Sequence, residues 1–456
     1  MIMRILMNDH PRVLQGHGLR RRISRVGWKP QIGPEVFGLE GLYKGIDDWD
    51  PTSSRGGYTA PTVESVDADG TYWNAAGVIV GATANTGRSG GFSYGTRGLG
   101  AVLESQRTNL VYPSAALDSW TTGACSVTAD QSAAPDGNMA GDLLTESGLT
   151  VGYVKKQTDS LTNNLVYAVS AWVKKGTHTS FSVGLYDSSA SAYRGRVDFV
   201  WTAGVLSVQA EDVGTGYVEV GTGGWYRAVV LVPINTVVGA NNNEVRLFAS
   251  EHDMSGGPYT ATFWGAQIEA GTYATTYIPT TDAAVQRDAD GWEVNVGDMS
   301  IGAHTIYATI VPNWNGADKD DDHYVFDSRT GTDPGCCIYH DGSSNVLLAG
   351  TLPAAGAAGL GTSTTAVVRG SAYVVALAFD TNDLIFRVRD VGAETDDDAT
   401  DSTVALPSSH QAIAIGRDKA DANQWDGVIR DVLIYQWRHS AAQLARNIAW
   451  LAARAA

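Results

Sequence analysis

At 456 residues the chain is longer than one ordinary hydrophobic core organises, so two or three domains are expected. Charged residues make up only 18%, and 52 glycines alongside plentiful Thr, Val, Ser, Tyr and Trp favour short strands joined by turns. A net charge of −17 argues against nucleic-acid binding by the whole chain, which needs clustered Lys and Arg.

Residues 1–60 lack steady periodicity and are punctuated by Gly and Pro. Arg4, Arg12, Arg20, Arg21, Arg22, Arg25, Lys29 and Lys44 stand there against Asp9, Glu35 and Glu40. This reads as an extended basic arm that docks on an acidic partner, or as a solvated tail. Asn8, Asp9 and His10 interrupt the opening apolar residues, so no signal peptide is expected. No run approaches membrane-spanning length, and no membrane insertion is expected. Residues 61–107 read as a β-rich linker, with Asp69-Gly70 as a hairpin-turn signal.

Residues 108–284 hold a series of strand patterns: Tyr167–Val173, Phe181–Tyr186, Arg196–Trp201, Trp225–Val232 and Glu244–Ala249. Their spacing suits a two-sheet sandwich. Residues 285–456 hold a second set: 306–311, 323–327, 337–339, 373–379, 384–388, 411–415 and 427–435. Residues 352–365, rich in Ala, Gly and Thr, read as a loop. Ser440 then offers an N-cap for a short helix with Leu444, Ile448 and Leu451 on one face. The predicted fold is all-β: an arm, two jelly-roll or concanavalin A-like sandwiches and a C-terminal helix. Cys125, Cys336 and Cys337 make neither a disulfide framework nor a zinc site.

One phrase, Trp264-Gly-Ala-Gln-Ile-Glu269 followed by Gly271 and Tyr277-Ile-Pro-Thr280, resembles a recurrent ending in bacteriophage tail and capsid-associated proteins. Leu103-Glu104, Arg107-Thr-Asn-Leu110, Asn138, Tyr167–Lys174 and Gly224-Trp-Tyr-Arg227 fit the same pattern in order, as do Tyr72, Trp73 and Gly77 upstream. Gln286-Arg-Asp288 departs from it, since that family more often has Thr-Arg before its acidic residue. The second module is similar to laminin G and concanavalin A-like modules through Phe379-Asp380, Gly416-Arg417 and Trp425–Tyr435. Together the likenesses cover about residues 70–456, and residues 1–60 carry none. They imply a virion structural protein made in the host cytoplasm, docked on other virion proteins through residues 1–60. They also imply a homo-oligomer, such appendages often being trimers, and a first sandwich like a carbohydrate-binding module.

Lectin-like sandwiches hold sugars with accessible aromatic rings and polar side chains. Tyr193, Trp201, Tyr217 and Trp314 lie near predicted strand ends or loops and are the glycan-binding candidates. Arg12, Arg20, Arg21, Arg22 and Arg25 are the docking candidates. Two acidic runs contain Asp320 and Asp322, and Asp396 and Asp398. Neither has the alternation or glycine of a calcium loop, so solvated acidic loops are the favoured reading and no cofactor is required. Paired carboxylates on one strand, a Gly-x-Ser-x-Gly elbow and His-Glu-x-x-His are all missing from the sequence, which argues against an enzyme. The sequence thus points to a tail-fibre or tail-associated adhesin for host-surface polysaccharide, with a capsid decoration or head-fibre protein as the alternative.

Overall fold

The computed structural model describes residues 4–8, 62–65, 70–74, 76–82, 88–90 and, from 100 to 455, all but residues 149, 236–241, 253–256, 296–301, 319–320, 330–334, 353–358, 405, 407–411, 419–422 and 436. The chain is all-β with one C-terminal helix. Two six-stranded sheets form the first sandwich. One runs in the order Thr215–Val220, Trp225–Ile234, Leu165–Lys174, Thr260–Ala270, Met139–Glu146, Cys125–Ala133. The other runs Val205–Val213, Ala192–Thr202, Ser180–Asp187, Asn243–Leu247, Tyr153–Gln157, Thr121–Gly123. In five of the six matching places of the two sheets the strands are neighbours in the chain, as in jelly-roll winding; Trp225–Ile234 and Ala192–Thr202 are the exception. The first sheet faces the second sandwich and is called here the joint-facing sheet; the other is the outward sheet.

Alternation sorts the residues. Val169, Ala171 and Val173 point into the core with Phe181, Val183, Leu185 and Phe199. Ala168, Ser170 and Trp172 point the other way, so the joint-facing sheet is buried on both faces. Trp172, Trp225 and Trp264 are buried on this second face, in a cluster with Trp73 and Tyr277.

The second sandwich has one sheet in the order Thr395–Asp401, Asp383–Asp390, Tyr373–Asp380, His304–Pro312, Gly427–Tyr435, Gly100–Leu103, Ser89–Gly90. Arg4–Asn8 adds in parallel to Gly427–Tyr435 at Asp431–Tyr435, beyond the stretch that Gly100–Leu103 covers. The facing sheet runs Thr62–Ser65, Gly291–Asn295, Ala412–Ile415, His323–Asp327, Gly335–Asp341, Val346–Leu352, Gly359–Ala366. Thr62–Ser65, Ser89–Gly90 and Gly100–Leu103, within residues 61–107 read from sequence as a linker, therefore supply strands to the second sandwich. A turn near them is closed by Asn74 to Val78, with Gly77 at φ +76°; Asp69 of the expected Asp69-Gly70 turn lies outside the described residues. The Ala-Gly-Thr stretch read as a loop ends in the strand Gly359–Ala366; its small residues let Phe386 lie against Gly361. The helix Ala441–Ala455 starts as predicted: Ser440 Oγ accepts from Gln443 N–H, and Gln443 Oε1 from Ser440 N–H. Leu444, Ile448 and Leu451 cover Tyr307, Val374 and Leu433.

A buried polar joint connects the two sandwiches. Glu104 Oε2 accepts from Arg88 Nη1 at 2.7 Å, Arg287 Nη1 at 2.8 Å and Thr276 Oγ1 at 2.6 Å. Its Oε1 accepts from Thr276 N–H at 2.8 Å. Asp290 Oδ2 takes the Glu104 N–H at 2.9 Å and the other end of the Arg88 guanidinium. Two arginines thus face two carboxylates, all buried. Ser105 binds Asp426 through both N–H and Oγ, tying this cluster to the second sandwich.

The closing phrase of the first sandwich is a strap across the joint-facing sheet. Glu269 Oε1 accepts from Thr275 N–H and Gln267 Nε2, each at 2.7 Å. Gln267 Oε1 accepts from Ile278 N–H at 2.8 Å, and Asn109 Nδ2 donates to Ile278 O at 2.9 Å. Arg227 Nη1 reaches Thr275 O at 2.5 Å, and Tyr277 OH pairs with Ser114 Oγ at 2.6 Å. Glu104, Asn109, Arg227, Gln267 and Glu269, apart in the phage-like pattern, thus meet around one strap. Arg287, in the phrase that departs from that pattern, joins them through Glu104.

Burial works to raise the Glu104 carboxyl, but Arg287, Arg88 and the Thr276 hydroxyl outweigh it and hold the group below the usual carboxylate range. At Asp290 burial wins over Arg88 and Arg287, and the carboxyl is pushed up. A depressed folded value makes the Glu104 contribution complete above the unfolded value of about 4.3 and lost as pH falls through the folded one. Acid should therefore protonate Asp290 first and release the joint only below about pH 4. Calorimetry from pH 7 to 3 checks this; a joint transition that shifts with the first Asp290 proton would contradict it. Glu104→Gln takes the carboxylate from buried Arg287 and leaves Arg88 with Asp290 alone, and should cost about 3–5 kcal/mol in chemical denaturation.

Candidate glycan-binding surfaces

The four aromatic candidates fall in three places. Trp201 is 6% exposed in the first core, against Phe181 and Tyr226. Trp314 is wholly buried, donating Nε1–H to Trp425 O at 3.0 Å between the rings of His323 and His340. Tyr217 is built into the contact between sandwiches. Its OH accepts from Ala274 N–H at 2.7 Å, and the Arg369 guanidinium lies 3.8 Å above its ring. None of these three rings offers a free face for a sugar. Position at a strand end did not give access: Trp201 turns into the first core, Trp314 into the second, and Tyr217 is covered where the sandwiches meet.

Tyr193 belongs to a different surface, the outer face of the outward sheet. Tyr186 and Tyr193 are cross-strand partners with ring centres 5.1 Å apart. Arg246, on the adjoining strand, places its guanidinium 3.4 Å from the centre of Tyr186, 4.6 Å from Tyr153 and 5.9 Å from Tyr193. His252 meets Tyr193 edge-on at 4.9 Å. All three tyrosines are half-buried.

Two glycines make room for this layer. A Cβ on Gly184 would stand 3.0 Å from the Tyr193 ring, and one on Gly123 would stand 2.9 Å from the Tyr153 ring. The rings therefore lie over bare backbone. Glu244 anchors Arg246 at 2.5 Å and Lys155 at 2.7 Å, and its carboxyl is lowered because those two cations overcome the burial that would raise it. Asp212 holds Arg196 at 2.8 Å beneath Tyr193. The result is an aromatic platform with fixed polar groups around it. Sequence reading reached Tyr193 but not Tyr153, Tyr186 or Arg246, since register across the sheet brings them together.

A second concavity lies between the sandwiches, about 530 Å³ in volume, lined by the strand Thr215–Val220 with Thr272, Asn315, Arg369 and Gly370. Arg369 Nη2 pairs with Glu219 and with Asn313 Oδ1, the latter at 2.9 Å. Aromatic rings form its floor but are spoken for, as described above.

The acidic candidates are occupied as well. Asp396 pairs with Arg389 at 2.9 Å, and Asp398 with Arg387, directly across the strands. These are cross-strand ion pairs and not the loop that the sequence suggested. Asp322 accepts from Gly342 N–H at 3.3 Å. Asp320, and the docking candidates Arg12, Arg20, Arg21, Arg22 and Arg25, lie outside the described residues. Among the described residues no group of three or more His, Cys, Asp or Glu side chains is placed to hold a metal ion.

Gly184→Ala should lift the Tyr193 ring off the sheet. Nitration of Tyr193, mapped by mass spectrometry, is expected to rise in the variant; unchanged reactivity would contradict the flat placement.

No family model matches this chain, and no curated protein matches it. Among solved structures, a heptameric SAP-like pentraxin from Limulus polyphemus is 16% identical over 32% of this chain and 69% of its own, with a TM-score of 0.25. The LG1–3 region of the laminin α2 chain is 10% identical over 64% and 66%, with a TM-score of 0.26. Tailspike protein 2 of an Escherichia coli O157:H7 bacteriophage is 13% identical over 35% of this chain and 23% of its own, with a TM-score of 0.26. At such scores none of them fixes the arrangement of this chain.

Proposed function

We propose that the protein is a bacteriophage virion component, displayed on the particle as a tail fibre or tail-associated adhesin, and that its first sandwich binds host-surface glycan. The observation that carries the binding half is the platform of Tyr153, Tyr186 and Tyr193 around Arg246. A pyranose has an apolar face that stacks on such rings, while Lys155, Glu244 and Arg246 stand where they can orient its hydroxyls. Arginine is suited to this place because its planar group stacks on the tyrosines and still donates at its edge. The virion half rests on the phage-like pattern of residues, of which Glu104, Asn109, Arg227, Gln267 and Glu269 meet around the strap. The reading includes no catalytic step: Glu219, the carboxylate bordering the cleft, is engaged by Arg369.

The test is binding of the purified full-length protein to an array of bacterial surface polysaccharides. Tyr193→Ala and Tyr186→Ala should each weaken the best signal roughly tenfold with the unfolding midpoint unchanged. Equal binding by both variants would overturn the platform. Antibody to residues 290–456 should label the tail in electron micrographs of intact particles. Label spread over the head would favour the decoration protein, and particles without label would overturn the virion assignment.

A further inference from the structure

The outer strands of these sheets are closed in recognisable ways. Val205–Val213 is bulged at two points against its neighbour and carries Glu211 and Asp212. Cys125–Ala133 is likewise irregular at two points. Along Gly359–Ala366, the amides of Leu360, Thr364 and Thr365 are taken by the carboxylates of Asp401 and Asp397. Thr121–Gly123 is three residues long and Ser89–Gly90 two. These are the devices that keep sheet edges from recruiting strangers.

Thr215–Val220 is treated differently. It pairs with Trp225–Ile234 with no register shift and carries neither Lys nor Pro. Gly221 N–H bonds Trp225 O, so alternate residues direct their backbone groups toward that neighbour or away from it. Gly216 N–H is on the outward side, for it is taken by Glu211 Oε1 at 2.7 Å. By the same alternation Val218 and Val220 turn N–H and C=O outward, and among the described residues no side chain is placed on them. They border the cleft of about 530 Å³, where Val220 is 51% exposed. Arg369 Nη1, buried in the same wall, has no hydrogen-bond partner.

We propose that this cleft is a β-augmentation site: it takes one extended peptide segment of a partner protein as a further strand on Thr215–Val220. The two-residue spacing of the open backbone groups is that of a β-ladder. The strand is roughly 20 Å long, and Asn315, Arg369 and Gly370 wall the far side, so the space suits a single chain and not the edge of another sheet. Glu219 is shared between Arg369 and Arg227, and the remaining Arg369 donor is open to an acceptor such as a peptide carbonyl or an Asn or Gln amide. Exposed Val220 gives a cross-strand contact to a β-branched or small apolar side chain. The site is separate from the tyrosine platform, and neither depends on the other.

The test uses the full-length chain and a capped heptapeptide alternating valine and asparagine. Hydrogen exchange should show protection at the Val218 and Val220 amides on adding the peptide. The same peptide N-methylated at alternate residues, which cannot donate to the ladder, should bind roughly fivefold more weakly or worse per bond lost. Val220→Pro removes an outward donor at an edge position where proline is tolerated, and it should weaken the parent peptide to a similar degree. Equal binding of both peptides, or no protection at millimolar peptide, would overturn the proposal. So would protection of these amides by a neutral oligosaccharide in place of the peptide.

Discussion

A carboxylate with no access to water, shared between two guanidinium groups, is the constraint from which this architecture follows. Glu104 comes from the strand that enters the second sandwich, Arg287 from the chain leaving the first, and Arg88 from the segment before both. The two buried guanidinium groups are tolerable only while Glu104 stays charged and hydrogen-bonded between them, because a charge left alone faces a large desolvation penalty. The sandwiches are consequently fixed to each other by geometry, whereas a flexible tether would have left their surfaces independent. The strap from Gly271 to Thr280 extends the same principle, closing the joint-facing sheet with side-chain amides and hydroxyls where another sandwich would have used solvent.

This joint decides which surfaces remain for binding. It consumes Tyr217 as packing between modules, while Trp314 is buried in the core of the second sandwich. The outward sheet is left facing solvent, and there the tyrosines are spread flat over glycine-bared backbone and clamped by one arginine. Rigidity matters here, since a ring already held in place loses little freedom when a sugar stacks on it.

Much of the fold was legible because strand alternation is a local signal. Tyr167–Val173 and Trp225–Val232 read as strands, and the Ser440 cap with Leu444, Ile448 and Leu451 read as a helix, since each pattern sits within a few residues. Domain membership was less legible. Residues 62–65 and 100–103 look like linker because their partners, 291–295 and 427–429, are more than two hundred residues away. The sites suffered most from this. A tryptophan such as Trp172 shows that it lies on one face of a strand but not which face the rest of the chain will cover. Acidic runs misled for the same reason, as Arg387 and Arg389 face Asp398 and Asp396 only through register. A usable signal did exist at Tyr186 and Tyr193, two tyrosines across the short Ser188–Ser191 turn with Gly184 nearby.

The central claim is that the outward face of the first sandwich is where host polysaccharide is held. The most direct measurement is a crystal structure of the full chain with a fragment of the best-binding polysaccharide. The account predicts a sugar ring stacked on Tyr186 or Tyr193 with hydroxyls within hydrogen-bonding reach of Arg246 or Lys155. A fragment seated elsewhere, with the tyrosine face bare, would contradict it.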